Sequence, residues 1–175
     1  MLTRHRAARA LGAVFIAASV SLITTVPAHA DPGSSGSLGS SGSAGSSGSS
    51  DIYLPIPTGA GLKALSAAVT QIGKPYKWGG TGPNSWDCSG LVRWAFSTAG
   101  VSLPRVSQQQ AKVGRAIPVS ALAPGDIIIF YRDASHVGIY AGAGQVFNAY
   151  GPNGVPIGFT PLSSFSYIKT VRRFG

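Results

Sequence analysis

Apolar residues along this chain recur with two different periods, and the change from one to the other organises it. Between Gly61 and Gly73, the residues Leu62, Leu65, Ala68, Val69 and Ile72 fall three or four apart. This spacing predicts a helix with that stripe buried, stopped by Gly73 and Lys74-Pro75. A loop follows from Pro75 to Asp87, with Gly79-Gly80 and Gly82-Pro83-Asn84. Leu91, Val92, Ala95 and Phe96 then predict a second helix from about Cys88 to Ala99, N-capped by Asp87 and closed by Gly100. Beyond it the period shortens. Asp126 to Tyr131 is a continuous apolar run launched from Pro124-Gly125, the pattern of a central strand. His136 to Ala141 alternates, with His136, Gly138 and Tyr140 on one face. Gly142-Ala143-Gly144 makes a turn, Gln145 to Tyr150 returns as an antiparallel partner, and a last strand fits within Tyr167 to Arg172. Helices first and a meandering sheet after predict an α+β domain.

The amino-terminal third has neither period. Arg4, Arg6 and Arg9 precede an uncharged, mostly apolar stretch from Ala10 to Val26, and Ala28-His29-Ala30 offers small residues where a signal peptidase reads. Residues 1–30 are therefore expected to be an export signal; an uncleaved membrane anchor is the rival reading, against which the short stretch and its Ser and Thr residues count. From Gly33 to Ser50, 16 of 18 residues are Gly or Ser. Residues 31–50 read as a flexible linker with a reach of roughly 25 Å. The folded unit is expected to run over 51–175, a length suited to one domain.

That unit is basic. It carries 11 Lys and Arg against four Asp and no Glu, a net +7. The charge would draw it to anionic cell-wall polymers, or simply keep it soluble. No motif of nucleic-acid recognition is present, and a monomer is expected. One Cys, one His and four scattered Asp in 51–175 offer no cluster of metal-ligand spacing, and no cofactor is expected.

Cys88 is the chain's lone cysteine, and His136 the lone histidine of 51–175. An unpaired thiol is either an inert buried residue or one retained for its chemistry, and a nucleophilic thiol needs a base. At the start of a helix, Cys88 would meet partial positive charge and unpaired N–H groups, which favour a thiolate and can hold an oxyanion; the glycines before it would let a substrate backbone approach. His136 and Asn148 lie 12 residues apart about Gly142. If the hairpin pairs about that residue through a three-residue or bulged turn, the two are directly opposed, ~5 Å apart at Cβ, and Asn148 can orient the imidazole. Otherwise Asn148 is an ordinary polar residue near a turn.

Five segments in series resemble the NlpC/P60 family of cell-wall peptidases, a branch of the papain-like cysteine peptidases: Gly73 to Gly80, Asp87 to Val92, Leu103-Pro104-Arg105 with Ser107 and Gln110, Leu122 to Asp126, and His136 to Tyr140. The resemblance implies a papain-like NlpC/P60 fold, with N-terminal helices packed on a central antiparallel sheet. It also implies a secreted, cell-wall-associated endopeptidase that cuts peptidoglycan stem peptides, commonly between γ-D-glutamate and a diamino acid. By that resemblance Cys88 is the nucleophile, His136 the general base and acid, and Asn148 the third polar residue. Tyr76 matches a tyrosine whose hydroxyl lies near the sulfur. Asp87 and Ser89 flank the nucleophile and help bind the substrate amino group, and Arg105 is a candidate for a substrate carboxylate. Each has a plainer alternative: Tyr76 as a core aromatic, Asp87 as a helix cap only, Arg105 as a solvated charge. A non-catalytic peptidoglycan-binding module, or an acyltransferase or amidase on the same site, are the alternative functions.

Overall fold

The computed structural model describes residues 53–175; the expected export signal, the Gly/Ser linker and the first residues of the domain lie outside them. Its helices are α1 (Gly59–Val69), α2 (Cys88–Thr98) and the single turn α3 (Ser107–Gln110). Its strands are β1 (Arg115–Ile117), β2 (Ile127–Phe130), β3 (His136–Gly142), β4 (Gln145–Asn148), β5 (Gly158–Pro161) and β6 (Ile168–Arg173). The strands form one antiparallel sheet in the order β1-β6-β2-β3-β4-β5. This is the expected α+β architecture, helices against a central antiparallel sheet. The last strand does not extend the meander. It returns to the middle, between β1 and β2.

That insertion explains why β2 reads as an unbroken apolar run. With strands on both sides and layers on both faces, every residue of β2 is buried. Ile127 and Ile129 face the helices, packing with Leu91, Val92, Ala95, Phe96, Val137, Ile139 and Phe147. Ile128 and Phe130 face the other way, into a smaller cluster with Val146, Phe165 and Val171.

α2 matches its sequence signals. Asp87 caps it, accepting from Gly90 N at 2.6 Å. Gly100, at φ +80°, ends it, with Val101 N donating back to Phe96 O. α1 departs from expectation. Its buried positions are Gly61, Ala64 and Ala68, whereas Leu62 and Ile72 are exposed and Leu65 is half-buried. The reason is close approach: a Cβ on Gly61 would lie 2.9 Å from Gly125 O, so the helix turns its small-residue face inward rather than its leucine stripe. The helix also stops early, at Val69, and Gly73 instead donates to Ile157 O.

Asp126 does more than begin a strand. It is buried, and its Oδ1 accepts from Arg173 Nε at 2.8 Å while Oδ2 accepts from Arg173 Nη2 at 2.8 Å and Ala123 N at 2.7 Å. The remaining Arg173 donors reach the carbonyls of Ala121 and Leu54. This pair ties β6 to the turn before β2, so the insertion of the last strand rests on it. Removing one partner would strand a buried charge. Asp126→Ala is expected to cost about 3–5 kcal/mol in urea unfolding, and the double change Asp126→Leu with Arg173→Met much less, because it removes both charges.

Candidate active site

The loop from Tyr76 to Asp87 and the start of α2 are held together by glycine. A Cβ on Gly90 would sit 2.2 Å from Gly80 O, and one on Gly80 would sit 2.8 Å from Lys77 O. Asp87 N donates to Gly80 O at 3.0 Å. Gly80 and Gly90 thus serve internal packing rather than the approach of a substrate. Gly79, at φ +76° with open space beside it, is the glycine that faces outward. Together these contacts set the amino end of α2, and Cys88 with it, against the first residues of β3. The Val137 N–H lies where it favours the Cys88 anion.

Cys88 is buried but lines a groove of about 400 Å³, with Trp78, Arg105, Val106, Gln108 and Ser135 on its walls. Asp87 anchors one side. Its Oδ1 accepts from Gly90 N, from Arg105 Nη1 at 3.0 Å and from Ser89 Oγ at 3.3 Å, and its Oδ2 accepts from Arg105 Nη2 at 2.5 Å. Arg105 Nη1 also donates to Ser89 Oγ at 3.0 Å. Arg105 is therefore a half-buried, forked partner of Asp87 on the groove wall, and not a solvated charge. Asp87 both caps the helix and pairs. Tyr76 is half-buried against the core. Its phenol is pushed up by burial first, then by the neighbouring Cys88 and Asp87.

His136 and Asn148 are also together, by a different register from the one expected. Ile139 pairs with Phe147 and Tyr140 with Val146, but Gly142 pairs with Gln145. The hairpin therefore has a bulge at Ala141 beside a two-residue Ala143-Gly144 turn, both residues at positive φ. The bulge keeps His136 and Asn148 on one face, as required. Continuing the ladder sets Asn148 across from Gly138, so the two meet diagonally rather than directly. Gly138 makes that possible, since a Cβ there would lie 3.0 Å from Asn148 Cβ and 2.4 Å from Val146 Cγ1.

The contact fixes a tautomer. Asn148 Nδ2 donates to Val146 O and Thr160 Oγ1, both at 3.1 Å, so its Oδ1 is the atom 3.2 Å from His136 Nε2. A carbonyl oxygen only accepts, hence Nε2 carries the hydrogen and Nδ1 keeps its lone pair. The ring packs beside a stacked Phe130–Phe165 pair, whose centroids are 4.0 Å apart and lie 5.7 and 5.6 Å from it, and Tyr150 packs at 4.7 Å. Thr160 and Phe165 had no signal in the sequence, because they arrive from β5 and from the segment before β6.

Burial dominates the electrostatics. His136 is pushed down to about 4 by desolvation, opposed by Asn148. The Cys88 thiol is pushed up by burial and then by Asp87, which outweigh the N–H groups of Val137, Ser89 and Cys88 itself. The helix terminus does point its N–H groups at the sulfur, yet the balance runs opposite to the thiolate expected from that terminus alone. No side-chain hydrogen bond joins Cys88 to His136 among the described residues, and the resting pair is a neutral thiol and a neutral imidazole.

A sequence model described as the NlpC/P60 family matches residues 73–171. The chain belongs to the NlpC/P60 family. A probable endopeptidase of Mycobacterium tuberculosis is 46% identical over 121 residues, covering 67% of this chain and 31% of the relative. One of Corynebacterium glutamicum is 50% identical over 106 residues, covering 61% and 48%. The solved structure of the peptidoglycan hydrolase RipB from M. tuberculosis superposes with a TM-score of 0.56 at 32% identity, covering 65% of this chain and 64% of that one. The chain thus spans less than half the length of these two curated relatives.

Of the seven expected site residues in this NlpC/P60 domain, Asp87, Cys88, Ser89 and Arg105 line the groove, Tyr76 lines a separate cavity with Pro75 and Asn153, and His136 and Asn148 form a hydrogen-bonded pair on β3 and β4. Trp78 and Val106 had been passed over, although both are exposed and line the groove. The buried imidazole gives the domain a pH signature. Unfolded, His136 binds a proton near pH 6.5; folded, it does so only near 4. The unfolded state therefore holds more protons within that window, and stability must rise with pH across it. Lowering pH from 7 to 4 is expected to cost about 3 kcal/mol through this group. His136→Gln should flatten that part of a denaturant-midpoint-versus-pH profile.

Proposed function

We propose that this protein is a secreted peptidoglycan hydrolase that cuts amide bonds in stem peptides, at the γ-D-glutamyl–diamino acid bond, through Cys88, His136 and Asn148. The observation that carries the reading is the Asn148 amide, oriented by its own two hydrogen bonds so that His136 keeps a lone pair on Nδ1, one residue before Val137, whose N–H favours the Cys88 anion. The family's relatives named as endopeptidases and as a peptidoglycan hydrolase support the substrate class. Residues 1–30 supply the export signal.

The chemistry follows from two neutral groups. With the substrate amide in the groove, Nδ1 takes the thiol proton as sulfur bonds to the carbonyl carbon. Approach of the carbonyl excludes water and tightens contacts that are loose in the empty site. The oxyanion lies against N–H groups at the start of α2 and the Tyr76 hydroxyl. Collapse breaks the C–N bond, and the imidazolium gives its proton to the departing amine. Water, activated by Nδ1, then hydrolyses the thioester and restores the thiol. Asn148 accepts from Nε2–H throughout and stabilises the charged ring. The Asp87–Ser89–Arg105 cluster provides a carboxylate for the substrate amino group and a guanidinium for a substrate carboxylate.

The test is mass spectrometry of products from a defined stem peptide incubated with the full chain. Cleavage at one amide is expected, and Cys88→Ala should lower turnover by at least ~10³-fold. Unchanged cleavage by that variant would refute the assignment. The acid limb of kcat/KM provides a second check. Activity needs an unprotonated imidazole, so it should hold down to mildly acid conditions and fall as pH drops through about 4. A limb at 6.5 would contradict a buried base.

A further inference from the structure

A second cavity, of about 500 Å³, adjoins the groove. The two share a wall at Gln108, and the segment 133–135 borders both: Asp133 and Ala134 line the second cavity, Ser135 the first. Lys112, Lys169 and Arg172 bring three cations to this cavity, against the single carboxylate of Asp133. Neither ion pair among the described residues involves them. Asp133 instead accepts from Ser135 N at 3.1 Å. Lys169 Nζ donates to the Arg132 carbonyl. Arg172 Nη1 reaches Gly114 O only at 3.4 Å, and its Nε is enclosed without any partner.

Three cations from α3's flank and β6, converging on a concavity with donors left over, make a site that an anion would stabilise. The concave shape suits one compact anionic group better than a long polyanion, which needs a row of charges along an open face. Continuity with the groove makes that group part of the molecule being cut. We propose that this cavity is a carboxylate subsite: it holds a free carboxylate of the same stem peptide whose amide lies at Cys88. The inference rests on the reading above and adds to it a specificity site built from residues outside the family's motifs.

The experiment measures binding without cleavage. Full-length Cys88→Ala protein is titrated by calorimetry with two stem peptides, identical except that the carboxylates are free in one and amidated in the other. The preference for the free acid should shrink about fivefold when Lys112→Gln and Lys169→Gln are added, the effect of one well-formed exposed ion pair. It should stay unchanged when Lys63→Gln and Arg93→Gln, on the exposed faces of α1 and α2, are added instead. An identical preference with and without the two cavity lysines overturns the proposal, as does an equal loss from the α1 and α2 changes, which would mean diffuse charge alone. Soluble poly(glycerol phosphate) forms the third arm: if it binds through Lys112 and Lys169 while the peptide preference ignores them, the cavity serves a phosphate polymer and the carboxylate assignment falls. Cleavage is not read, so failure of the wild type to hydrolyse the peptide would count against the proposed activity and leave this result standing.

Discussion

One carboxylate holds the front of this molecule together. Asp87 closes the first turn of α2, receives the fork of Arg105 from the segment before α3, and accepts from Ser89, all within hydrogen-bond distance. Its own N–H goes to Gly80 O, so the loop carrying Tyr76, Trp78 and Gly79 is fixed to the same residue. The approach of that loop to the helix end is possible only because Gly80 and Gly90 let two backbones meet closer than any side chain would allow. The position of the sulfur is therefore a consequence of packing. Cys88 is the residue after the cap, on a helix end held by Gly80, Arg105 and Ser89 and packed against β3.

The same closeness decides the protonation states. A thiol at an open helix end would tend to ionise, and an imidazole in water would be half-charged a little below neutrality. Here burial shifts one up and the other down, and Asp87 adds to the first effect. Neutral groups are the ones that such an enclosure stabilises. In the proposed mechanism, proton transfer and bond formation are therefore coupled in one event, in place of a standing thiolate–imidazolium pair, while Asn148 and the stacked Phe130–Phe165 pair beside the ring hold the imidazole in place.

How much of this was written in the sequence depends on range. The cap, span and stop of α2 were legible because Asp87 and Gly100 act within a turn or two of where they stand. β2 was legible as a doubly covered strand from its apolar run. The burial face of α1 was not: its leucines gave the stronger periodic signal, but contact with Gly125 selected the glycine and alanine face, a choice made by a residue 64 positions away. β1, β5 and α3 span only three or four residues each and carry no period to detect. The partnership of His136 and Asn148 followed from even spacing about a turn, yet the bulge that shifts the ladder and the empty Cβ position of Gly138 that permits a diagonal contact belong to the folded hairpin. The Asp126–Arg173 pair joins residues 47 apart, with nothing local to announce it.

The central claim is that the Cys88 sulfur attacks a stem-peptide carbonyl held in the groove. A stem peptide ending in a ¹³C-labelled aldehyde at the position of the scissile carbonyl tests this at equilibrium, whatever the rate of the later steps. The account predicts that adding the protein converts the aldehyde carbon to a tetrahedral, sulfur-bonded resonance, and that prior alkylation of the thiol prevents it. A carbon that stays free, or that bonds to some other group while the thiol remains open to alkylation, would contradict it.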